Sequence, residues 1–202
     1  MSGTIVGPDG EPRCAWSATT PEFVPYHDAE WGFPVGDDRR LFEKLSLEAF
    51  QAGLSWRTIL GKRESFRRAF LDFDIATVAR FGPRDVERLL EDASIVRHRG
   101  KIEAVINNAQ RAEELIDRQG SLAGYLWSYE PDPAEVADPQ TVTTSPASVA
   151  LSNDLKKQGW RFVGPTTVFA FIQAMGLIND HLDGCVIRPE VTRARQTFVR
   201  PV

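Results

Sequence analysis

The chain has 202 residues, 42% hydrophobic and 26% charged, with a formal net charge of −4. That length supports one domain with a sizeable core, and no apolar run approaches the roughly eighteen residues of a membrane span. A negative net charge gives no general attraction to nucleic acid, so a DNA-binding function would need a local site. The N-terminal MSGTIVGPDGEP has no basic region and no long apolar stretch; it does not read as a secretory signal, which points to the cytoplasm.

In chain order, residues 1–12 read as a polar N-terminal tail, 13–187 as a single helical domain and 188–202 as a C-terminal tail. Asp37 or Asp38 caps a helix running toward Gly53. SWRTILGKRESFRRAF predicts another, and Asp74 begins a shorter one. Pro83 stands at the first helical position of PRDVERLLEDA. KIEAVINNAQRAEELIDRQG places Ile102, Val105, Ile106, Ala109 and Ala112 on one side and stops at Gly120. The proline-rich 130–147 stretch reads as loop. Ser145-Pro146 opens a helix that stops at Gly159, and Pro165 opens the last. No alternating pattern extends beyond a few residues, so the fold class is all-α.

Three constellations carry chemistry. The chain has only two cysteines and three histidines. Cys14 and His27 lie near one end, and His181 and Cys185, four apart, near the other. A Cys2His2 inventory suits tetrahedral zinc, and four protein ligands would leave no open position, making the zinc structural. The spacing is not that of a zinc finger, and the bland alternative is a buried thiol pair with two surface histidines. Asp28 and Asp180 adjoin the histidines and could orient the rings.

The second constellation is a carboxylate where leucine is expected. Leu41, Leu45, Glu48 and Ala52 are spaced four, three and four, one helical face. A buried carboxylate needs a partner or a purpose. Trp56 follows the helix, and Trp16, Phe23, Tyr26 and Trp31 crowd the N-terminal segment; these aromatics fit a pocket for a flat, electron-poor ring or plain core packing. The third is KKQGWRFVGPTTVFAFIQAMG. A short hairpin, WRFVG, joins two helices, with Gly164 free to take an unusual φ. The amides around Thr166 and Thr167 at the next N-terminus suit an anion such as a DNA phosphate. Lys156, Lys157 and Arg161 add charge there, and RHRGK (97–101) is a second basic cluster. Each also reads as an ordinary corner or solvated face.

RCAW (13–16), YHDAEWG (26–32), LFEKLSLEAFQAGLSW (41–56), DASIVRHRGKIEAVINNA (92–109), LKKQGWRFVGPTT (155–167) and QAMGLINDHLDGC (173–185) together resemble the DNA-3-methyladenine glycosylase I family, in family order. The resemblance implies a helix-hairpin-helix glycosylase fold with a structural zinc on Cys14, His27, His181 and Cys185 joining the termini. It places Glu48 as the pocket glutamate and Trp16, Tyr26 and Trp56 as pocket aromatics. Phe23 stands where the family has a tyrosine. Leu54 resembles a residue that fills the gap left by a flipped nucleotide, and Gly164, Thr166 and Thr167 fall on the DNA-gripping turn. The implied activity is monofunctional excision of 3-methyladenine from double-stranded alkylated DNA by a monomeric enzyme, since no lysine is clearly placed to attack the sugar. Two other readings remain: a DNA-binding module that senses damage without cutting, and a binder of cationic heterocycles.

Overall fold

The computed structural model describes residues 3–202. Its centre is helix α2, Asp38–Gln51, which the Asp37 side chain caps by accepting from the Arg40 amide at 2.9 Å. Every residue from Leu41 to Phe50 is buried, including Glu43, Lys44, Ser46 and Glu48. An all-round buried helix forces its polar side chains to find partners inside the protein. Glu43 finds Arg67 at 2.7 Å, and Lys44 and Glu48 find each other.

The remaining elements wrap this helix. Preceding it is α1 (Phe23–Ala29); following it are α3 (Trp56–Gly61), α4 (Arg63–Ala69), α5 (Ile75–Ala79), α6 (Pro83–Glu91), the 21-residue α7 (Arg99–Gln119), α8 (Leu122–Trp127), α9 (Pro146–Lys157), α10 (Pro165–Ala174) and α11 (Arg188–Thr197). Gly120 ends α7 at φ +91, a left-handed backbone that favours glycine. Its apolar face, Ile102 through Leu115, is buried. Phe50, Phe66, Phe70 and Phe73 stack between α2, α4 and the turn after it, with centroids 4.6–6.4 Å apart. The Asp38 carboxylate reaches the Leu122 and Ala123 amides at 3.2 and 2.7 Å, joining the start of α2 to the positive end of α8.

Four expectations need correction. The molecule is mostly helical, but β1 (Thr4–Val6) pairs antiparallel with β2 (Pro12–Cys14). Residues 4–14 are therefore a hairpin, not a tail; Gly10, at φ +83, makes the turn. Residues 188–202 are not a tail either. They hold α11, and Arg195 and Arg200 both reach Glu130, at 2.8 and 2.9 Å. Phe198 packs on Trp127 at 4.7 Å between centroids. SWRTILGKRESFRRAF is two helices because Lys62 leaves helical backbone between them. Finally, WRFVG contains no strand pair; it is an irregular turn in which Phe162, not Gly164, takes positive φ, at +56, while Gly164 sits at −64. No helix among the described residues is long and apolar enough to cross a membrane.

Candidate active site and metal centre

The apolar core has two parts: a large cluster through the helices and a small one at the joined termini, formed by Cys14, Cys185, Ile187 and Val191. Trp16 packs against both. It touches Trp31 at 5.1 Å, His27 at 5.3 Å and Tyr26 at 6.3 Å between centroids.

At the small cluster, the ligating atoms of Cys14, His27, His181 and Cys185 lie within 4.8 Å of one another, and all four residues are buried. His181 Nδ1 is 3.2 Å from His27 Nε2, 3.6 Å from Cys185 Sγ and 3.8 Å from Cys14 Sγ; His27 Nε2 is 3.6 Å from Cys185 Sγ. Zinc legs of about 2.3 Å to sulfur and about 2.0 Å to nitrogen span a tetrahedron with edges of roughly 3.3–3.8 Å. The donor set is therefore the right size and type for one metal ion. The Cys185 thiol is pushed down by the adjacent Cys14 and by the two histidines, while Cys14 is pushed up by Cys185 and by burial. Two thiolates side by side in a dry site would repel each other. A cation at the centre removes that conflict. His181 and Cys185 are not on a helix; a turn brings them together, its Cys185 amide donating to the Leu182 carbonyl at 3.0 Å.

The far ring nitrogens are held as well. Asp28 takes His27 Nδ1 at 2.6 Å, as its position suggested. Asp180 does not hold His181; the Trp31 carbonyl does, at 3.0 Å from Nε2. Asp180 instead accepts from the Gln140 amide at 3.1 Å and from Gln173 Nε2 at 2.6 Å. It is a buried carboxyl raised by desolvation, although those two hydrogen bonds oppose the shift.

Gln140 and Gln173 lead to the second centre. Both line a pocket of about 350 Å3, with Trp16, Tyr26, Trp31, Glu48, Gln51 and Trp56. That volume falls at the lower end of small-molecule sites, roughly 300–1,000 Å3. Glu48 is 5% exposed and opens into a pocket walled by aromatic rings on one part and by glutamines and threonines on the rest. Tyr26 and Trp56 are 5.4 Å apart. The tyrosine hydroxyl is pushed well up by burial and by Glu48, so it stays protonated. The Trp56 indole N–H is buried without a partner among the described residues. Gln140, from the 130–147 loop, sits at φ +58 and is held there by Asp180. Such a backbone costs about 1–3 kcal/mol, and the tie to Asp180 offsets it.

The sequence reading found Trp16, Tyr26, Glu48 and Trp56, and the structure brings them together. Phe23 does not line the pocket; it packs edge-on behind Trp16 at 5.8 Å. Leu54 is 41% exposed in the turn after α2, outside the pocket. Lys101 fixes that turn by donating to the Phe50 and Ala52 carbonyls at 2.8 and 2.5 Å. Gly164 is the N-cap of α10, no side chain caps that end, and Thr166 lies between it and the pocket rim; Thr167 follows, half-buried. Missed were Gln140, Thr143 and Gln173, which carry no spacing signal, and Lys44. Its amine lies 2.6 Å from Glu48 Oε1, although the sequence offered no placed lysine. A lysine one turn before an unexpected glutamate was the available clue.

A family model described as methyladenine glycosylase matches residues 16–188. The chain belongs to the methyladenine glycosylase family. DNA-3-methyladenine glycosylase 1 of Escherichia coli (strain K12) is 45% identical over 181 residues, covering 88% of this chain and 97% of its own. A Staphylococcus aureus structure, on recognition of 3-methyladenine by 3-methyladenine DNA glycosylase I, has a TM-score of 0.82 at 40% identity and covers 88% of this chain and 96% of its own. A tyrosine-to-phenylalanine variant of 3-methyladenine DNA glycosylase I, in complex with 3-methyladenine, has a TM-score of 0.82 at 39% identity and covers 88% of this chain and 97% of its own. In this glycosylase, as in that family, the chemistry concerned is hydrolysis of an N-glycosyl bond.

Proposed function

We propose that the chain is a monofunctional, monomeric, cytoplasmic DNA glycosylase that flips 3-methyladenine out of alkylated double-stranded DNA and hydrolyses its glycosidic bond. The observation that carries this reading is the carboxylate of Glu48, buried in an aromatic pocket of a chain whose relatives are named for 3-methyladenine. The base must leave the stack to be reached. α9, the 158–164 turn and α10 act as a helix-hairpin-helix, and the uncapped amides at Gly164–Thr167 take a backbone phosphate. Leu54 projects from its turn to fill the space left by the nucleotide.

Trp16, Tyr26 and Trp56 enclose the base, and Glu48 accepts from its exocyclic amine. The alkylated nucleotide is cationic, so the base leaves as a neutral molecule when the C1′–N9 bond breaks. Water adds to C1′ and loses a proton to solvent, leaving an abasic site. Little acid catalysis is needed; the pocket supplies selective binding and a fixed field. Lys44 does not line the pocket and its amine is occupied by Glu48 and Tyr26, so no Schiff base forms with the sugar. Zinc, held by Cys14, His27, His181 and Cys185, would be structural: it would fasten the segment bearing Trp16 and Tyr26 to the turn before α11.

The test is chromatography of bases released from methylated DNA. Wild-type protein releases 3-methyladenine, and Glu48→Ala releases about 100-fold less, in the range for loss of one preorganised polar group. No free base from folded, metal-loaded protein would leave a module that binds damage without cutting. A borohydride-trapped protein–DNA adduct would overturn the monofunctional mechanism.

A further inference from the structure

Lys44 meets three residues of the base pocket at once. Its ammonium is 2.6 Å from Glu48 Oε1, donates to the Tyr26 hydroxyl at 2.8 Å and sits 3.5 Å from the centroid of the Trp56 ring. Both members of the ion pair are buried, the lysine side chain 7% exposed and the glutamate 5%. Lys44 does not face the base pocket; it stands behind the Trp56–Tyr26 wall, beside a void of only about 20 Å3. A buried ammonium is retained only where its charge is answered. Here a carboxylate, a hydroxyl oxygen and an indole face answer it.

We propose that Lys44 is a positioning residue that keeps Glu48 ionised and aimed into the pocket before any base arrives. The inference rests on the excision reading above. A lone carboxylate behind aromatic walls loses its hydration and takes up a proton toward neutral pH. As an acid it would compete as a donor where the base's amino group also donates. The paired ammonium prevents that. It also cancels the carboxylate's charge, so a cationic nucleotide is selected by hydrogen-bond and stacking geometry more than by net attraction.

Among the described residues, the other charged groups near Glu48 are paired, apart from Arg40, which is exposed near the start of α2. From the α1 side, Tyr26 stays protonated and Glu30 is paired with Arg63 of α4 at 2.5 Å. On α2 itself, Glu43 is paired with Arg67 at 2.7 Å. The pocket-lining residues of α10 and of the 140–143 segment are not titratable. Burial pushes the Lys44 amine below its ordinary value, and Glu48 opposes that. The pair holds its charges because each compensates the other.

The experiment compares wild type, Lys44→Met and Lys44→Met/Glu48→Gln; methionine keeps the volume of the lysine stem. In the first measurement, kcat/KM for release of 3-methyladenine from methylated DNA is followed from about pH 5 to about pH 9. The acid limb of Lys44→Met lies higher than that of wild type by about one pH unit or more, with activity about tenfold lower on the acid side and recovering at alkaline pH. In the second, melting temperature is followed against pH without DNA. The deficit of Lys44→Met grows from acid to neutral pH, because an unpaired buried carboxylate is disfavoured where it must ionise. Adding Glu48→Gln closes much of that deficit, and the double variant folding where the single one fails is the same coupling. An unchanged acid limb in Lys44→Met overturns the inference. So does a melting deficit that is equal at every pH and untouched by Glu48→Gln. If wild type releases no base while the melting data behave as described, the excision reading fails and the role of Lys44 in holding Glu48 stands.

Discussion

The molecule contains two buried polar centres, and they are built in opposite ways. The Cys14–His27–His181–Cys185 cluster joins residues from the two ends of the chain: the end of β2, the short helix α1 and the turn before α11. The Lys44–Glu48 pair lies within a single turn of one helix. Four neutral or half-ionised donors in a dry site are an unstable arrangement until a cation occupies it. An ion pair compensates itself, at the expense of desolvating both partners. The first centre could hold one metal ion and joins segments far apart in the chain; the second lies within one turn of α2, beside the pocket. Trp16 stands between them, touching His27 on one side and lining the pocket on the other.

This contrast predicts a graded set of responses. The largest follows from breaking the metal centre. Cys185→Ser, or exhaustive chelation, should cost about 3–5 kcal/mol, or roughly 6–20 °C in Tm for a chain of this size. Calorimetry alongside metal analysis checks this, and a wild-type preparation without stoichiometric metal would remove the premise. Next is the seam where the N-terminal segment meets α10. Gly176 has φ +76, and an added Cβ would lie 2.5 Å from Pro34 N and 2.6 Å from Phe33 C. Gly176→Ala should cost about 2–4 kcal/mol and weaken metal retention and base release together. Loss of one function alone would show that the centres are not mechanically joined there.

Smaller effects sharpen the comparison. Lys101→Met leaves the Phe50 and Ala52 carbonyls without their donor. It should cost about 1–3 kcal/mol and weaken DNA binding through the Leu54 turn, without displacing the metal; DNA titration by fluorescence anisotropy reads the first effect. Asp74→Ala removes the N-cap of α5, remote from the residues of both centres. Its cost is about 1 kcal/mol, with base release unchanged. Hydrogen bonds from Thr77 hold the Asp74 carboxyl below its ordinary value. Its contribution is therefore present above the unfolded value of 3.8 and is lost as pH falls through the lower folded one. Melting curves of wild type and Asp74→Ala should converge in acid.

The two centres were also unequally legible. Cysteine and histidine are rare in this chain, so four of them in two pairs were visible without knowing the fold. Lys44 is one of five lysines, and only its place one turn before Glu48 sets it apart in the sequence. α2 is buried on every side, a property of its neighbours and not of its own periodicity. The same cause blurred the Glu48 argument. Its stripe of Leu41, Leu45 and Glu48 is buried, but Ala52, the next position, is exposed beyond the helix end. Asp180 adjoins His181 in sequence and was read as its orienting acceptor, yet it holds two pocket glutamines, because a turn sends neighbouring side chains in different directions.

What the sequence determined by itself was local: helix starts at Asp37, Asp74, Pro83, Ser145 and Pro165, the stop at Gly120, the rare ligand types and the misplaced glutamate. Caps, proline and glycine act within a few residues, so their signal survives without tertiary context. The tertiary structure decided which far-apart groups meet. It paired residues 4–14 into a hairpin, docked α11 through Glu130, brought Gln140 and Gln173 to the pocket on Asp180, and set Lys44 beneath Trp56. Those outcomes depend on burial and charge compensation between segments distant in the chain, and no window of sequence contains both partners.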